Sequence, residues 1–265
     1  MSILDEILKD KRKEVAAAKK AVPLSVMKKA ALRLPAKKFG FQKALASKKY
    51  FAVIAEIKKK SPSKGLLCRH FDPVRIARQY AKGGAAALSV LTDKKYFGGS
   101  VSFIPRVKRA VSIPVLRKDF VIDEYQIYET RLLNADALLL IARALSAGKM
   151  RSLYGTARRL GLDVLFEVHN ESELKKVLDL KPAIVGVNNR DLGTFKVDLG
   201  LSGKLSGRIP QRTFFVSESG IHSSADLDRV RMFGADAALV GESLMRQKDP
   251  GKALHRLLGG MRGSR

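Results

Sequence analysis

The sequence predicts an α/β protein: one (β/α)8 TIM barrel with an N-terminal helical extension. Three observations carry that prediction. The chain has 265 residues, and about 250 is usual for one such barrel. From residue 52 onward, eight short aliphatic and β-branched runs alternate with stretches of helical periodicity. Several of the runs hold four or more consecutive apolar residues, as in strands buried on both faces of a parallel sheet.

Taken in order, residues 1–50 come first and read as two or three short helices. Ile3, Leu4, Ile7, Leu8 and Val15 share a face of the first; Leu24 to Leu32 and Phe39 to Ala46 follow, with Ala36–Phe39 as a joint. That apolar stripe is too small to fold alone, so residues 1–50 extend a barrel formed by 51–265 within one domain. The segment needs a surface to bury against and is expected to cover the mouth of the barrel. The eight runs are AVIAEI (52–57), AAALSVL (85–91), PVLRKDF (114–120), DALLLIA (136–142), DVLFEVH (163–169), AIVGVN (183–188), FFVSES (214–219) and DAALVGE (236–242). Their starts lie 33, 29, 22, 27, 20, 31 and 22 residues apart, each interval room for a strand, a helix and two loops. Intervening helices carry start and stop signals. PVRIARQYAKGG begins at Asp72–Pro73 and ends at Gly83–Gly84, and SELKKVLDLK begins at Ser172 and ends at Pro182. Eight such units also suit an open doubly wound sheet. That fold wants G-x-G-x-x-G after its first strand, where this chain has KKKSPSKG.

Composition narrows the function. Hydrophobic residues make up 46% of the chain, enough for a large core, and Cys68 is the one cysteine. The latter excludes an internal disulfide framework and suits a reducing cytoplasm. The N-terminus intersperses charges among apolar residues and does not read as a signal peptide; no apolar run approaches the 18 or so residues needed to cross a bilayer. Net charge is +26, and 14 Lys/Arg against 4 Asp/Glu fall in the first 50 residues. Such an excess raises the question of nucleic acid. The remainder is scattered singly over helices, with no zinc-ligand spacing and no aromatic-interleaved basic strand. Solvated basic faces, and a field that draws in an anionic substrate, are the expectation. A monomer is expected too.

Barrel enzymes place their chemistry at the C-terminal ends of the strands. Those ends supply Glu56 and Lys58 on the first strand, Lys118 and Asp119 on the third, Glu167 on the fifth, and Asn188 on the sixth with Arg190 beyond. Glu218-Ser219-Gly220 and Gly241-Glu242-Ser243 end the seventh and eighth. Ionisable side chains there are costly unless paired or solvated. Lysines and glutamates in one ring shift each other's pKa, which is the equipment of acid–base catalysis. Gly220 and Gly241 mark the usual phosphate site of such barrels, after strands 7 and 8. The four histidines show no ligand spacing, and no metal is expected; His169 is expected on the face opposite Glu167.

IAEIKKKSPSKG, LSVLTDKKYFGGS, PVLRKDFVIDEYQIYE, LFEVHNESEL, VGVNNRDLGTF, VSESGI and LVGESLMR resemble the signature blocks of the indole-3-glycerol-phosphate synthase family, from about residue 3 to residue 255. The resemblance implies a cofactor-independent carboxy-lyase of tryptophan biosynthesis. Its substrate, a small phosphate ester, would be 1-(2-carboxyphenylamino)-1-deoxyribulose 5-phosphate, closed to an indole with loss of carbon dioxide and water. By motif it implies Lys118 as the general acid for ring closure. Lys58 would hold the anthranilate carboxylate or act as acid in one of the two proton transfers, and Glu167 would serve the dehydration. Glu56 and Asn188 would position hydroxyls and lysines. Ser61, Ser219, Gly220, Gly241 and the Glu242 backbone would cradle the phosphate. Phe97, Phe120 and Leu139 would wall the aromatic ring, and Arg190 would brace carboxylates. The chain departs from the family at Asn134, where a glycine of a G-A-D turn is usual, and in its high charge. A phosphoribosylanthranilate isomerase would want a cysteine where Glu56-Ile57-Lys58 stand. A Schiff-base aldolase using Lys118 and a basic RNA-binding barrel are the other readings.

Overall fold

The computed structural model describes residues 2–47, 51–191 and 193–259. The expected boundary between extension and barrel, at residues 50 and 51, borders a stretch outside them. Three helices come first: α1 (Ile3–Ala21), α2 (Leu24–Arg33) and α3 (Phe41–Ala46). Ser2 and Asp5 close a capping box on α1, satisfying N–H groups that the helix itself leaves open. The stripe predicted for α1 is buried at Leu4, Ile7, Leu8 and Val15, and Lys11 is buried among them. The joint lies between α2 and α3, where Pro35 disfavours helix at the residue before it.

Each of the eight runs contains one strand: β1 (Ala52–Ile57), β2 (Ala87–Leu91), β3 (Val115–Lys118), β4 (Ala137–Ile141), β5 (Asp163–Val168), β6 (Ile184–Asn188), β7 (Phe214–Glu218) and β8 (Ala237–Val240). Neighbours in sequence pair in parallel, and β1 pairs with β8 from Ala52↔Ala237 to Ala55↔Val240, which closes the barrel. A hairpin of Lys60–Ser61 and Gly65–Leu66 follows β1. The remaining helices are α4 (Pro73–Gly83), α5 (Phe103–Ala110), α6 (Glu124–Leu132), α7 (Ala147–Arg159), α8 (Glu171–Leu178), α9 (Gly200–Ser206), α10 (Ser224–Met232), α11 (Glu242–Met245) and α12 (Pro250–Gly259). Asp72 caps α4 through Val74 and Arg75 N–H groups, and Gly84 ends it at φ 102°, as the sequence predicts. For α8 the start moves: Asn170, not Ser172, is the N-cap, its side chain accepting from Glu173 N–H. Asn134 occupies a left-handed turn at φ 62°, one of the few conformations where asparagine replaces glycine at modest cost.

Strand alternation sorts the core into two parts. Val53, Ala55, Leu88, Val90, Leu138, Leu140, Val185 and Val187 face outward into the layer shared with the helices. Ile54, Ala87, Leu116, Leu139, Leu165, Ile184, Val216 and Leu239 fill the barrel interior, together with Phe41 and Leu45 of α3. Helix α3 therefore plugs the N-terminal end of the barrel, anchored where Phe41 N–H donates to Asp163 Oδ2 at 2.9 Å. The extension thus serves both ends of the barrel, α3 below and α1 above.

Candidate active site

The inward register that carries Ile54, Leu116, Leu165, Ile184, Val216 and Leu239 continues, two residues on, to Glu56, Lys118, Glu167, Gly186, Glu218 and Gly241. Apart from Asp163 at the N-terminal end, charge thus enters the barrel interior in its last layer, where a cleft opens. Lys58, Ser61, Phe97, Phe120, Leu139, Asn188, Arg190, Ser219, Gly220 and Glu242 line that cleft with Glu56, Lys118, Glu167, Glu218 and Gly241. All fourteen residues singled out in the sequence are brought together. Ile3, Leu4 and Ile7 of α1 complete the wall, so the extension does border the mouth.

At the base, Lys118 Nζ lies 2.6 Å from Glu167 Oε2 and 2.7 Å from Glu218 Oε2. Lys58 pairs with Glu56 across the turn that leaves β1. Burial would pull the Lys118 ammonium toward neutrality; Glu167, Glu218 and Glu56 outweigh it and hold its pKa above the ordinary lysine value. Burial works against Glu167 too, yet Lys118, His169 and Asn188 push its carboxyl down to about 2. Glu218 goes the other way, to about 7: burial dominates, Lys118 opposes it, and repulsion from Glu167 and Glu56 adds to it. Two carboxyls on one lysine are thereby driven apart, the usual mark of divided acid and base duties.

At the rim, β7 is followed by Ser219 and Gly220, both left-handed at φ 66° and 84°. A side chain at Gly220 would collide with Val197 and Leu199, and one at Gly241 with the Glu56 carboxylate. Neighbouring side chains of the protein itself therefore leave room only for glycine at both positions. Gly241 and Glu242 open α11, and Ser243 Oγ donates to Ile221 O at 2.8 Å, tying the last two loops together. The Ser61 hydroxyl is buried in the same wall and has no hydrogen-bond partner among the described residues. Opposite the polar base, Phe97 and Phe120 tilt against each other with centroids 6.1 Å apart. Arg190 reaches Glu242 Oε2 at 3.0 Å, bracing a carboxylate.

One expectation is corrected. His169 follows Glu167 by two residues, so it shares that residue's register instead of opposing it, and its Nε2 lies 3.4 Å from Glu167 Oε1. Two features escaped the sequence reading. Glu218 is one, and its inward parity with Val216 at the end of β7 is the sequence signal for it. The second is a buried network: Lys11 Nζ meets Asp119 Oδ1 at 2.9 Å, Asp93 Oδ2 at 3.1 Å and Glu14 Oε2 at 2.8 Å. Asp119 also accepts from Arg117 at 3.1 Å and Thr92 at 2.6 Å. Its only sequence signal was the place of Lys11 in the buried stripe between Ile7 and Val15. Cys68 is half-buried and free. Among the described residues no group of three or more His, Cys, Asp or Glu is arranged to hold a metal ion, and no helix is long and apolar enough to cross a membrane.

A model of the family described as indole-3-glycerol phosphate synthase matches residues 4–257. The chain is 46% identical over 259 residues to a protein of that name from Polaromonas sp., covering 97% of this chain and 98% of the other. It is 47% identical over 256 residues to one from Burkholderia vietnamiensis, covering 96% and 98%. Among solved structures it is similar in fold to the N-acetylmannosamine-6-phosphate 2-epimerase of Clostridium perfringens. That likeness has a TM-score of 0.59 at 15% identity, over 73% of this chain and 87% of the other.

Proposed function

The chain belongs to the indole-3-glycerol phosphate synthase family, and from that premise we propose how its residues divide the reaction. The enzyme is a carboxy-lyase of tryptophan biosynthesis that converts 1-(2-carboxyphenylamino)-1-deoxyribulose 5-phosphate to indole-3-glycerol phosphate. The ring carbon bearing the carboxylate attacks the ketone, whose oxygen takes a proton. Carbon dioxide then leaves, returning its electron pair to the ring, and water departs to complete the pyrrole.

Lys118 donates the proton to the ketone oxygen. Its support is the position of Nζ at the centre of the ring of carboxylates, which keeps it charged when the substrate arrives; that is the single observation carrying the reading. A fixed cation beside an oxygen that gains charge in the transition state acts more strongly in a dry site than in water. Lys58 holds the substrate carboxylate, neutralising it until it leaves as carbon dioxide. Glu167, the ionised carboxylate of the pair, takes the proton from the carbon beside the nitrogen during dehydration, and Lys58, freed when carbon dioxide has left, gives the departing hydroxyl the proton with which it leaves as water. Glu56 and Asn188 fix the two lysines and the ribulose hydroxyls. Ser61, Ser219, Gly220, Gly241 and the Glu242 backbone take the phosphate; the unpartnered Ser61 hydroxyl favours that assignment. Phe97, Phe120 and Leu139 flank the aromatic ring. Arg190 touches no reacting atom and holds Glu242 in place.

No cofactor enters this scheme. Residues 1–50 act as part of the barrel unit, and the protein works as a cytoplasmic monomer without a polynucleotide ligand. The direct test is to add the carboxyphenylamino deoxyribulose phosphate and follow indole fluorescence. Stoichiometric indole-3-glycerol phosphate and carbon dioxide are expected; an unchanged spectrum at high enzyme concentration would overturn the reading.

A further inference from the structure

Glu167 and Glu218 grip Lys118 at nearly equal distances, 2.6 and 2.7 Å. The lysine alone therefore does not decide which of the two is ionised. Three buried carboxyls, Glu56, Glu167 and Glu218, share two ammonium groups, Lys58 and Lys118. Such a ring relieves its excess negative charge by retaining one proton, and coupled sites pass that proton between them.

The difference between the two carboxyls lies on their far sides. Glu218 Oε1 is buried and has no partner among the described residues. Glu167 Oε1 faces the His169 imidazole, whose Nε2 is 3.4 Å away and is otherwise unpartnered. The ring is fixed from behind by α8: Nδ1 lies 3.3 Å from Glu173 Oε2, which also accepts the His169 backbone N–H at 2.8 Å. Arg143, in the turn after β4, holds Glu173 at 3.1 Å, and Asn170 donates to it at 2.9 Å. The charged groups facing His169 are thus Glu167 from β5, Glu173 from α8 and Arg143 from beyond β4. Two attract its cationic form and one opposes it.

We propose that His169 is a positioning residue that keeps the negative charge of the carboxyl pair on Glu167 and leaves the retained proton on Glu218. Among the described residues it stands behind the cleft wall, not in it, so it acts through Glu167 without touching substrate. The directions of the shifts agree. Burial works against the imidazolium, but the Glu173 bond and the Glu167 charge outweigh it and raise its pKa. The inference rests on Glu167 as the base of the dehydration, because only an ionised carboxyl accepts a proton.

The test reads charge and turnover separately. Carbon-13 NMR of labelled glutamate carboxyls, assigned with Glu167→Gln and Glu218→Gln, follows each titration in the intact protein. In His169→Gln the Glu167 titration should move up by about one pH unit or more, as expected when a neighbouring charge is lost. Turnover near neutral pH should fall by about tenfold with little change in KM. His169→Asn, smaller and also neutral, serves if the glutamine variant does not fold. A Glu167 titration unmoved in a folded variant would overturn the proposal. If the titration moved while kcat stayed at the wild-type value, the charge placement would stand and the catalytic reading of Glu167 would fall.

Discussion

Lys118→Met is the most informative single change to this site. Methionine keeps much of the aliphatic stem and its packing, while the ammonium that contacts Glu167 and Glu218 at 2.6 and 2.7 Å disappears. Breaking a buried pair by removing one partner costs about 3–5 kcal/mol. Here the lower end is expected, because Glu218, already pushed up to about 7, takes a proton at little cost near neutral pH. At roughly 2–4 °C per kcal/mol for a protein of this size, the melting temperature should drop by about 6–12 °C. Loss of a general acid lowers turnover by a factor on the order of 10² or more, or about 2.7 kcal/mol of barrier. Single-turnover indole fluorescence at 25 °C, well below the transition, separates the two effects. Lys58→Met should instead raise KM more than Lys118→Met does, with the smaller loss of kcat, because its charge meets a carboxylate already present in the ground state. Near wild-type kcat in Lys118→Met beside an inactive Lys58→Met would show the two roles to be reversed.

Four further outcomes follow from the geometry and the charge. Lys11→Met leaves Asp93 and Asp119 buried without their shared cation and should cost about 3–5 kcal/mol in urea unfolding; Asp93→Asn in the same chain should recover part of it, and strictly additive losses would deny the network. Burial would raise the Asp119 carboxyl, but Arg117 and Lys11 hold it down to about 2. Its contribution to stability is therefore complete above the unfolded value near 4 and is lost as pH falls toward 2, a loss that calorimetry should find smaller in Lys11→Met. Removing residues 1–21 should leave a folded barrel with raised KM, whereas removal through residue 47 also takes Phe41 and Leu45 from the interior and should prevent cooperative unfolding; equal melting curves for the two would refute the plug. Raising salt from low to moderate strength should lower kcat/KM more than kcat, since the net charge of +26 attracts a substrate anionic at both ends; a flat kcat/KM would leave the charge without this role.

The barrel was legible because its two signals are local. Strand runs such as AVIAEI and DALLLIA advertise burial on both faces, and helix boundaries such as Asp72 and Gly84 sit where backbone chemistry requires them. The site was legible for the same reason: strand parity delivers Glu56, Lys118, Glu167 and Glu218 to one layer once the barrel is assumed. The motifs then narrowed the chemistry. Partnership was not legible. Nothing near Lys11 indicates that Asp93 and Asp119 will neutralise it, because those contacts arise only when α1 docks across the ends of β2 and β3. The place of His169 was legible, since two residues separate it from Glu167 and strand parity puts both on one face. That α3 enters the bottom of the barrel, while α1 borders its mouth, is likewise a tertiary fact that amphipathic periodicity does not specify.

Closure of the barrel by β1 against β8, beginning at Ala52↔Ala237, bears on how the chain survives its own synthesis. At about 5–20 residues per second, β1 leaves the ribosome on the order of ten seconds or more before the strand that completes its pairing. For that interval AVIAEI is an apolar, β-prone segment with an open edge, the kind of stretch that recruits other nascent chains. Lysines bracket it in the sequence, Lys48 and Lys49 before and Lys58, Lys59 and Lys60 after. Like charges flanking such a segment act as gatekeepers against intermolecular strand pairing. Some of the basic surplus thus has work to do before there is a substrate to attract, and neutralising Lys48, Lys49, Lys59 and Lys60 should show first as aggregation during expression.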